Sequence, residues 1–300
     1  MSSSTTSYRR WYVIGPPYVW LLIFFLVPFF IVAKLSLSDS AIAIPPYTPV
    51  FSWATGIWDF LKQLDFENYT FLFSDSLYIN AYLSSLKIAF FSTLLTLLVA
   101  YPMAYGMARA PRAWQPTLMM FVILPFWTSF LIRIYAWIAI LKPEGFLSLF
   151  LIKLGIISEP LQIMNTTTAV YIGIVYSYLP FMILPLYASL EKINPSLLEA
   201  AQDLGSRPWR AFWQITFPLS LPGVLAGCLL VFIPAVGEFV IPDLLGGSDT
   251  LMIGKTLWTE FFNNRDWPLA SAVAVLLLFV LIIPIVLFQR QQEKAAEAGR

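Results

Sequence analysis

Six stretches of this chain stay apolar for as long as a lipid bilayer is thick. They lie at about 14–37, 81–107, 117–141, 166–190, 218–242 and 269–288. A helix needs roughly 20 residues to cross the hydrocarbon core, and each stretch supplies about that many. No other feature constrains the fold as strongly. In lipid, every backbone N–H and C=O must be satisfied within the spanning structure, so open sheets and irregular chain are excluded. The fold class is therefore an all-α membrane protein built on a bundle of six transmembrane helices. Charged residues make up 12% of the 300 residues, about half the share in a soluble domain.

These spans divide the chain into a tail at 1–13, a first span at 14–37 and an outer loop at 38–80, followed by a core at 81–288 and a tail at 289–300. The core contains a polar loop at 191–217 between the fourth and fifth spans. The first apolar run is too long for a signal-peptide core and no small-residue cleavage site follows it, so it is read as a retained span. Lysine and arginine set the orientation. With both termini in the cytoplasm, the inner segments hold ten cations: Arg9, Arg10, Arg109, Arg112, Lys192, Arg207, Arg210, Arg290, Lys294 and Arg300. The outer segments hold five: Lys62, Lys142, Lys153, Lys255 and Arg265. That bias puts the polar loop at 191–217 on the cytoplasmic side.

Several chemistries are excluded. The chain has no histidine and one cysteine, Cys228, so there is no internal disulfide, no cysteine cluster for a metal and no Ser-His-Asp arrangement. A net charge of +1 gives no footing for nucleic acid. The nearest approach to a nucleotide-binding P-loop is Gly254-Lys255-Thr256, but Asp249 stands where the first glycine is required and the segment falls outside. No catalytic residue, resident cofactor or metal is expected. Prolines at 28, 102, 125, 180, 185 and 234 each invite a kink. GVLAG at 223–227 offers a small-residue face for close helix contact. The long outer loop reads either as an interfacial segment anchored by Trp53 and Trp58 or as a docking surface for an outside partner.

The polar loop has internal order. Asn194-Pro195 ends the fourth span, and Ser196 with Glu199 forms an S-x-x-E capping box that predicts a helix start. Leu197, Leu198, Ala201 and Leu204 give that helix an apolar stripe. Gly205 is placed to end it in a left-handed conformation. Ser206 and Pro208 open a second short helix, and Pro218 begins the fifth span. Two interfacial helices with aromatic anchors would account for Trp209, Phe212 and Trp213.

The set Glu199-Ala200-Ala201, Gly205, Ile215 and Phe217-Pro218 resembles the signature loop of ABC importer permeases, with Phe217 where leucine is usual. The resemblance implies a type I importer bundle whose first short helix is a coupling helix docked on a separate ATPase subunit. It further implies that ATPase coupling rests on Glu199, Ala200, Ala201, Gly205, Ile215 and Pro218, with Glu199 facing a basic residue of that subunit. ATP and magnesium would bind the ATPase subunits.

A longer resemblance covers about 11–288. FIPAVGEFVIPDLLGG at 232–247, IGKTLWTEFFNNRDWPLASA at 253–272 and the aromatics of the outer loop are similar to the polyamine (spermidine/putrescine) importer permeases, most closely the putrescine type. It implies a bacterial inner-membrane assembly with a second, non-identical permease subunit, two ATPase subunits and a periplasmic binding protein. A polyamine path calls for carboxylates and aromatic faces. Glu238 is the acid within an expected span, with Asp243 just above it, and an intramembrane acid marks either a pathway or a pair. Glu238, Asp243, Tyr176 and Trp127 are the pathway candidates, drawn from aromatics that also include Tyr135, Trp137 and Tyr178. Arg133, in the third span, is the alternative partner for Glu238. Two other readings stay open: the same machinery with another small solute, and an ion-coupled secondary transporter, for which no convincing internal repeat is found. A scaffold or sensor without transport would leave the pattern at 199–218 without a partner.

Overall fold

The computed structural model describes residues 5–50 and 56–298, and the side chains at 5–11, 56, 57, 59, 288 and 291–298 lie outside that description. In chain order the helices are α1 (Thr5–Leu21), α2 (Val27–Leu35), α3 (Gly56–Leu61), α4 (Glu67–Ser74) and α5 (Ser76–Arg109). Then come α6 (Gln115–Ile123), α7 (Phe130–Leu141), α8 (Phe146–Lys153), α9 (Thr167–Leu190) and α10 (Ser196–Asp203). The last five are α11 (Pro208–Ala211), α12 (Phe217–Val236), α13 (Val240–Leu244), α14 (Ile253–Trp258) and α15 (Trp267–Ala298). Among the described residues, six helical stretches are long and apolar enough to cross a membrane: Tyr12–Leu35, Ser76–Arg109, Phe130–Lys153, Thr167–Leu190, Pro208–Val236 and Trp267–Leu287.

Two of the expected spans differ in kind. The run at 117–141 is not one helix. α6 passes into a 3-10 turn at Leu124–Trp127, and Thr128 and Ser129 are extended before α7 begins. Pro125 lies in that turn and has no N–H to continue an α-helical ladder. The run at 218–242 starts earlier and stops sooner, because α11 continues through a π turn at Phe212–Thr216 into α12, which ends at Val236.

The prolines sit in two settings. Pro28 and Pro218 each follow a π turn, at Leu22–Leu26 and Phe212–Thr216, by two residues. A π turn shifts the hydrogen-bond register by one residue, so the missing proline donor falls where the ladder is already displaced. Pro102 lies inside the continuous helix α5, and Pro180 and Pro185 lie inside α9.

The chain forms two compact units. One comprises residues 1–76 and 257–280. In it, the window Tyr12–Leu35 is 6% buried, so the first span has little packing of its own. The outer loop is anchored at its base. Asp39–Ser40 and Tyr47–Thr48 pair antiparallel. Lys34 Nζ donates to Pro49 O at 2.7 Å and lies 4.0 Å from the Tyr47 ring centroid, and Asn68 Nδ2 donates to Ser36 O and Ser38 O at 3.1 and 2.8 Å. Lys34 thus turns to a loop carbonyl and an aromatic face. Trp53 lies outside the described residues, and Trp58 is exposed. At the start of α15, Asp266 Oδ1 accepts from Leu269 N at 3.0 Å, and burial pushes the Asp266 carboxyl above the usual carboxylate range.

The other unit comprises residues 77–256 and 281–300. Its core lies between α5, α9 and α12, with Ala104, Met182, Ile183, Leu186 and Val231 all buried. The small residues of GVLAG bring α12 against α9. A Cβ at Gly223 would sit 2.5 Å from Ser189 Oγ, and one at Gly227 would sit 2.6 Å from Met182 Sδ. That face serves packing, as small-residue faces in membrane helices do.

Candidate functional site: a capped elbow and a held carboxylate

The polar loop folds as an elbow. Asn194 Oδ1 accepts from Ser196 N at 3.0 Å, with Pro195 in the first turn, where its missing N–H costs nothing. The expected capping box is therefore replaced: no side-chain bond from Ser196 or Glu199 closes the start of α10. The helix opens earlier than the S-x-x-E spacing implies, and Asn194 takes the capping role. At the other end, Ser206 N donates to Ala201 O at 2.9 Å, Gly205 N donates to Gln202 O at 2.8 Å, and Gly205 has φ +78°. Those paired bonds form a Schellman motif.

No residue of α10 is fully buried among the described residues, although Leu198 and Ala201 are half-buried. Leu197 is 46% exposed and Leu204 is 89% exposed. Glu199 and Ala200 are exposed, and Glu199 has no hydrogen bond or ion pair among the described residues. This helix presents Leu197 and the carboxylates of Glu199 and Asp203 outward. An eight-residue helix is marginal by itself, and its two caps hold its ends.

The next segment is firmly fastened. The expectation of a separate second short helix opening at Ser206 and Pro208 is corrected: α11, the π turn and α12 run on without interruption, with Pro218, expected at the entry of the fifth span, in the first turn of α12. Ile215 lies within the π turn and is half-buried. The Phe212 ring lies 5.5 Å from Tyr101 and 5.2 Å from Trp213. Tyr101 OH and Ser220 Oγ are 2.8 Å apart. The elbow is thus a free helix joined by one left-handed glycine to a rigid lever that packs against α5.

Glu238 lies beyond the end of α12, in the break before α13, rather than within a span helix. It is 7% exposed. Its Oε1 accepts from the N–H groups of Phe239, Val240 and Ile241 at 3.1, 3.0 and 3.4 Å, and its Oε2 accepts from Tyr178 OH at 2.5 Å. Four donors from neutral groups satisfy this carboxylate, so it caps α13. Arg133 does not pair with it. The guanidinium instead lies against Phe126 and Phe130, with centroid distances of 5.4 and 5.6 Å. Asp243 is separate from Glu238 in function here, since it pairs with Lys255 Nζ at 3.3 Å.

The two aromatic candidates part company. Tyr176 lines an apolar cavity of about 490 Å³ with Pro102, Met103, Phe121 and Ile183, and its ring meets Trp137 at 5.3 Å. Trp127 is 73% exposed at the end of the 3-10 turn. Sequence reasoning ranks Tyr178 behind both, yet Tyr178 holds Glu238. It also misses Ser85, whose Oγ accepts from Ile253 N at 2.7 Å and ties α5 to the start of α14. No local pattern marks either residue, because both act on partners far away in sequence.

Six helices of membrane-spanning length, with an exposed, capped elbow between the fourth and the fifth, define a multi-pass membrane protein. Residues 97–297 match the family described as binding-protein-dependent transport system inner membrane component, and this chain belongs to that family. It is 40% identical over 271 residues to the spermidine/putrescine transport system permease protein PotB of Haemophilus influenzae, covering 90% of each chain. It is 45% identical over 224 residues to PotB of Escherichia coli K12, covering 75% of this chain and 81% of the relative. A solved structure of a bacterial alginate ABC transporter, in complex with an alginate pentasaccharide-bound periplasmic protein, contains a chain of the same fold. Its TM-score is 0.72 at 16% identity, over 97% of this chain and 96% of that one.

Proposed function

We propose that this chain is one membrane half of an ATP-driven importer that carries polyamines, putrescine or spermidine, into the cytoplasm. One observation carries the reading: α10 has both ends capped, bears Glu199, Ala200 and Ala201, and leaves Glu199 and Ala200 exposed and Ala201 half-buried, with no fully buried residue among its own. A cytoplasmic ATPase subunit covers that surface. ATP closes the ATPase pair, α10 moves with it, and Gly205 passes the motion to α11, the π turn and α12. The site then turns outward to receive the amine from a periplasmic binding protein, and hydrolysis returns it. The polyamine assignment rests on the relatives named above. Both termini lie in the cytoplasm of a bacterial inner-membrane assembly that also holds a second, non-identical permease and two ATPase subunits, which bind the ATP and magnesium.

Among the pathway candidates, Tyr176 has the better placement, facing a cavity. Glu238 serves first as the cap that shapes the segment from Phe239 to Ile241, and it reaches a passing ammonium only by exchanging those donors. Asp243, exposed beside Lys255, is the outer of the two acids.

The test is reconstitution of the chain with its second permease, ATPase and binding protein in proteoliposomes. Uptake of labelled putrescine or spermidine is expected to require internal-side ATP. Uptake driven by an ion gradient without the ATPase would establish a secondary transporter instead. Equal coupling after Glu199→Ala and Gly205→Val together would refute the role given to α10.

A further inference from the structure

The exposed side of α11 and α12 carries cations at one end and an apolar column below them. Between Leu204 and Gly237 the chain has two charged residues, Arg207 and Arg210, and no acid. Both are exposed, and neither guanidinium has a hydrogen bond or ion pair among the described residues. Glu199 and Asp203 of α10 come shortly before them in the chain and do not neutralise them there. Trp209 and Trp213 stand beside the arginines, 69% and 47% exposed. Their rings meet at 5.5 Å, and Trp209 stacks on Phe212 at 6.0 Å. Phe212 in turn packs edge-on to Tyr101 of α5, so the indoles are held in place. Leu221 and Leu225 continue the exposed column down α12 at helical spacing. The stretch Pro208–Val236 has 29 residues. At roughly 1.5 Å each these rise about 43 Å, which matches a bilayer with its headgroups, about 40–45 Å. The arginines therefore fall in a headgroup layer.

Chemistry narrows what covers this side. Two unpaired guanidiniums call for an anion, and the guanidinium fork suits phosphate oxygens. Indoles favour the membrane interface, where one part of the ring is apolar and the other wet. The leucines below call for hydrocarbon. A phospholipid with net negative charge offers phosphate, glycerol and acyl chain in that order. A polyamine is repelled by both arginines. A soluble anion leaves the indoles and leucines uncovered. A zwitterionic lipid carries its own ammonium beside the phosphate and gains less from two cations.

We infer that Arg207, Arg210, Trp209 and Trp213 bind an anionic phospholipid, with its phosphate on the arginines and its acyl chains along Leu221 and Leu225. α11 is the segment that Gly205 joins to α10, so the lipid holds the lever at one depth and steadies the pivot against which α10 moves. Only this consequence for coupling rests on the proposed importer function.

The test uses the assembled complex in phosphatidylcholine vesicles that contain brominated phosphatidylglycerol or brominated phosphatidylcholine. Bromine on an acyl chain quenches tryptophan on contact. Wild-type fluorescence is expected to fall further with the brominated phosphatidylglycerol, and the excess is lost when Trp209→Phe and Trp213→Phe are combined. Arg207→Gln and Arg210→Gln each cut the preference for phosphatidylglycerol about fivefold, as expected for a basic residue near an anionic surface. Lysine at both positions keeps most of it. Equal quenching by the two brominated lipids in the wild-type complex overturns the inference, and so does a preference that survives both glutamines. Release of the ATPase by the double-glutamine variant with the lipid preference intact identifies a protein contact and also overturns it. Should the glutamine variants fail to accumulate, added salt decides on the wild-type complex: a preference carried by charge falls as ionic strength rises, and an unchanged one overturns the inference. ATP-driven uptake is expected to be severalfold higher with phosphatidylglycerol than in phosphatidylcholine alone, and equal in both for the double-glutamine variant. A wild-type complex without ATP-driven uptake in any vesicle would defeat the proposed function, and the quenching would still decide the lipid site.

Discussion

At the residue scale, Gly205 and Glu238 make opposite demands. Gly205 has φ +78°, and a Cβ added there would find nothing within 4 Å, so Gly205→Ala meets no clash. Its cost is the left-handed backbone alone, roughly 1–2 kcal/mol. The expected outcome is a normally assembled protein with weaker ATPase retention, measured by co-purification. Glu238 is the reverse case, since its surroundings are full. Glu238→Ala leaves three backbone N–H groups and a tyrosine hydroxyl without their acceptor, a loss of about 1–3 kcal/mol per stranded buried group at the upper end of mutational series. Thermal unfolding in detergent should fall clearly for Glu238→Ala. Glu238→Gln keeps an acceptor oxygen and should fall much less. If Glu238→Gln instead abolishes uptake at unchanged stability, the charge itself serves the passing ammonium.

At the scale of elements, the π turn at Phe212–Thr216 sets how the elbow is aimed. It places one extra residue in the ladder, and one residue of α-helix corresponds to about 100° of rotation. Pro218 sits just past it and cannot donate to an α-helical ladder. Pro218→Ala restores that donor and lets the turn relax to α-helix, which would turn α11 and α10 relative to α12. The expected result is a folded permease whose ATP hydrolysis no longer tracks amine uptake, read as the ratio of the two rates. The contact of α12 with α9 is the fixed side of the same lever. A Cβ at Gly223 falls 2.5 Å from Ser189 Oγ and 2.6 Å from Pro185 O, and backbone cannot yield cheaply. Gly223→Val is therefore expected to destabilise the bundle by about 1–3 kcal/mol, seen as a lower unfolding midpoint.

At the scale of the whole molecule, the lysine and arginine bias predicts that the elbow lies inside the cell. Cysteine placed at Ile42, in a Cys228→Ser background, should react with an impermeant maleimide on intact spheroplasts, whereas cysteine at Ser196 should react only after permeabilisation. The reverse pattern would move α10 away from any cytoplasmic ATPase. What the sequence by itself determined was the membrane class, the span count, the elbow and its turn at Gly205. Those depend on the length of apolar runs and on local backbone preference, both readable from neighbours in the chain. Only the tertiary structure decided that Asn194 caps α10 in place of the Ser196–Glu199 box, that 117–141 is broken at Thr128–Ser129, and that Glu238 is held by Tyr178 while Arg133 lies on two phenyl rings. Each of those outcomes turns on which groups meet in space, and a carboxylate or guanidinium in a low-dielectric interior takes the partner that packing brings to it.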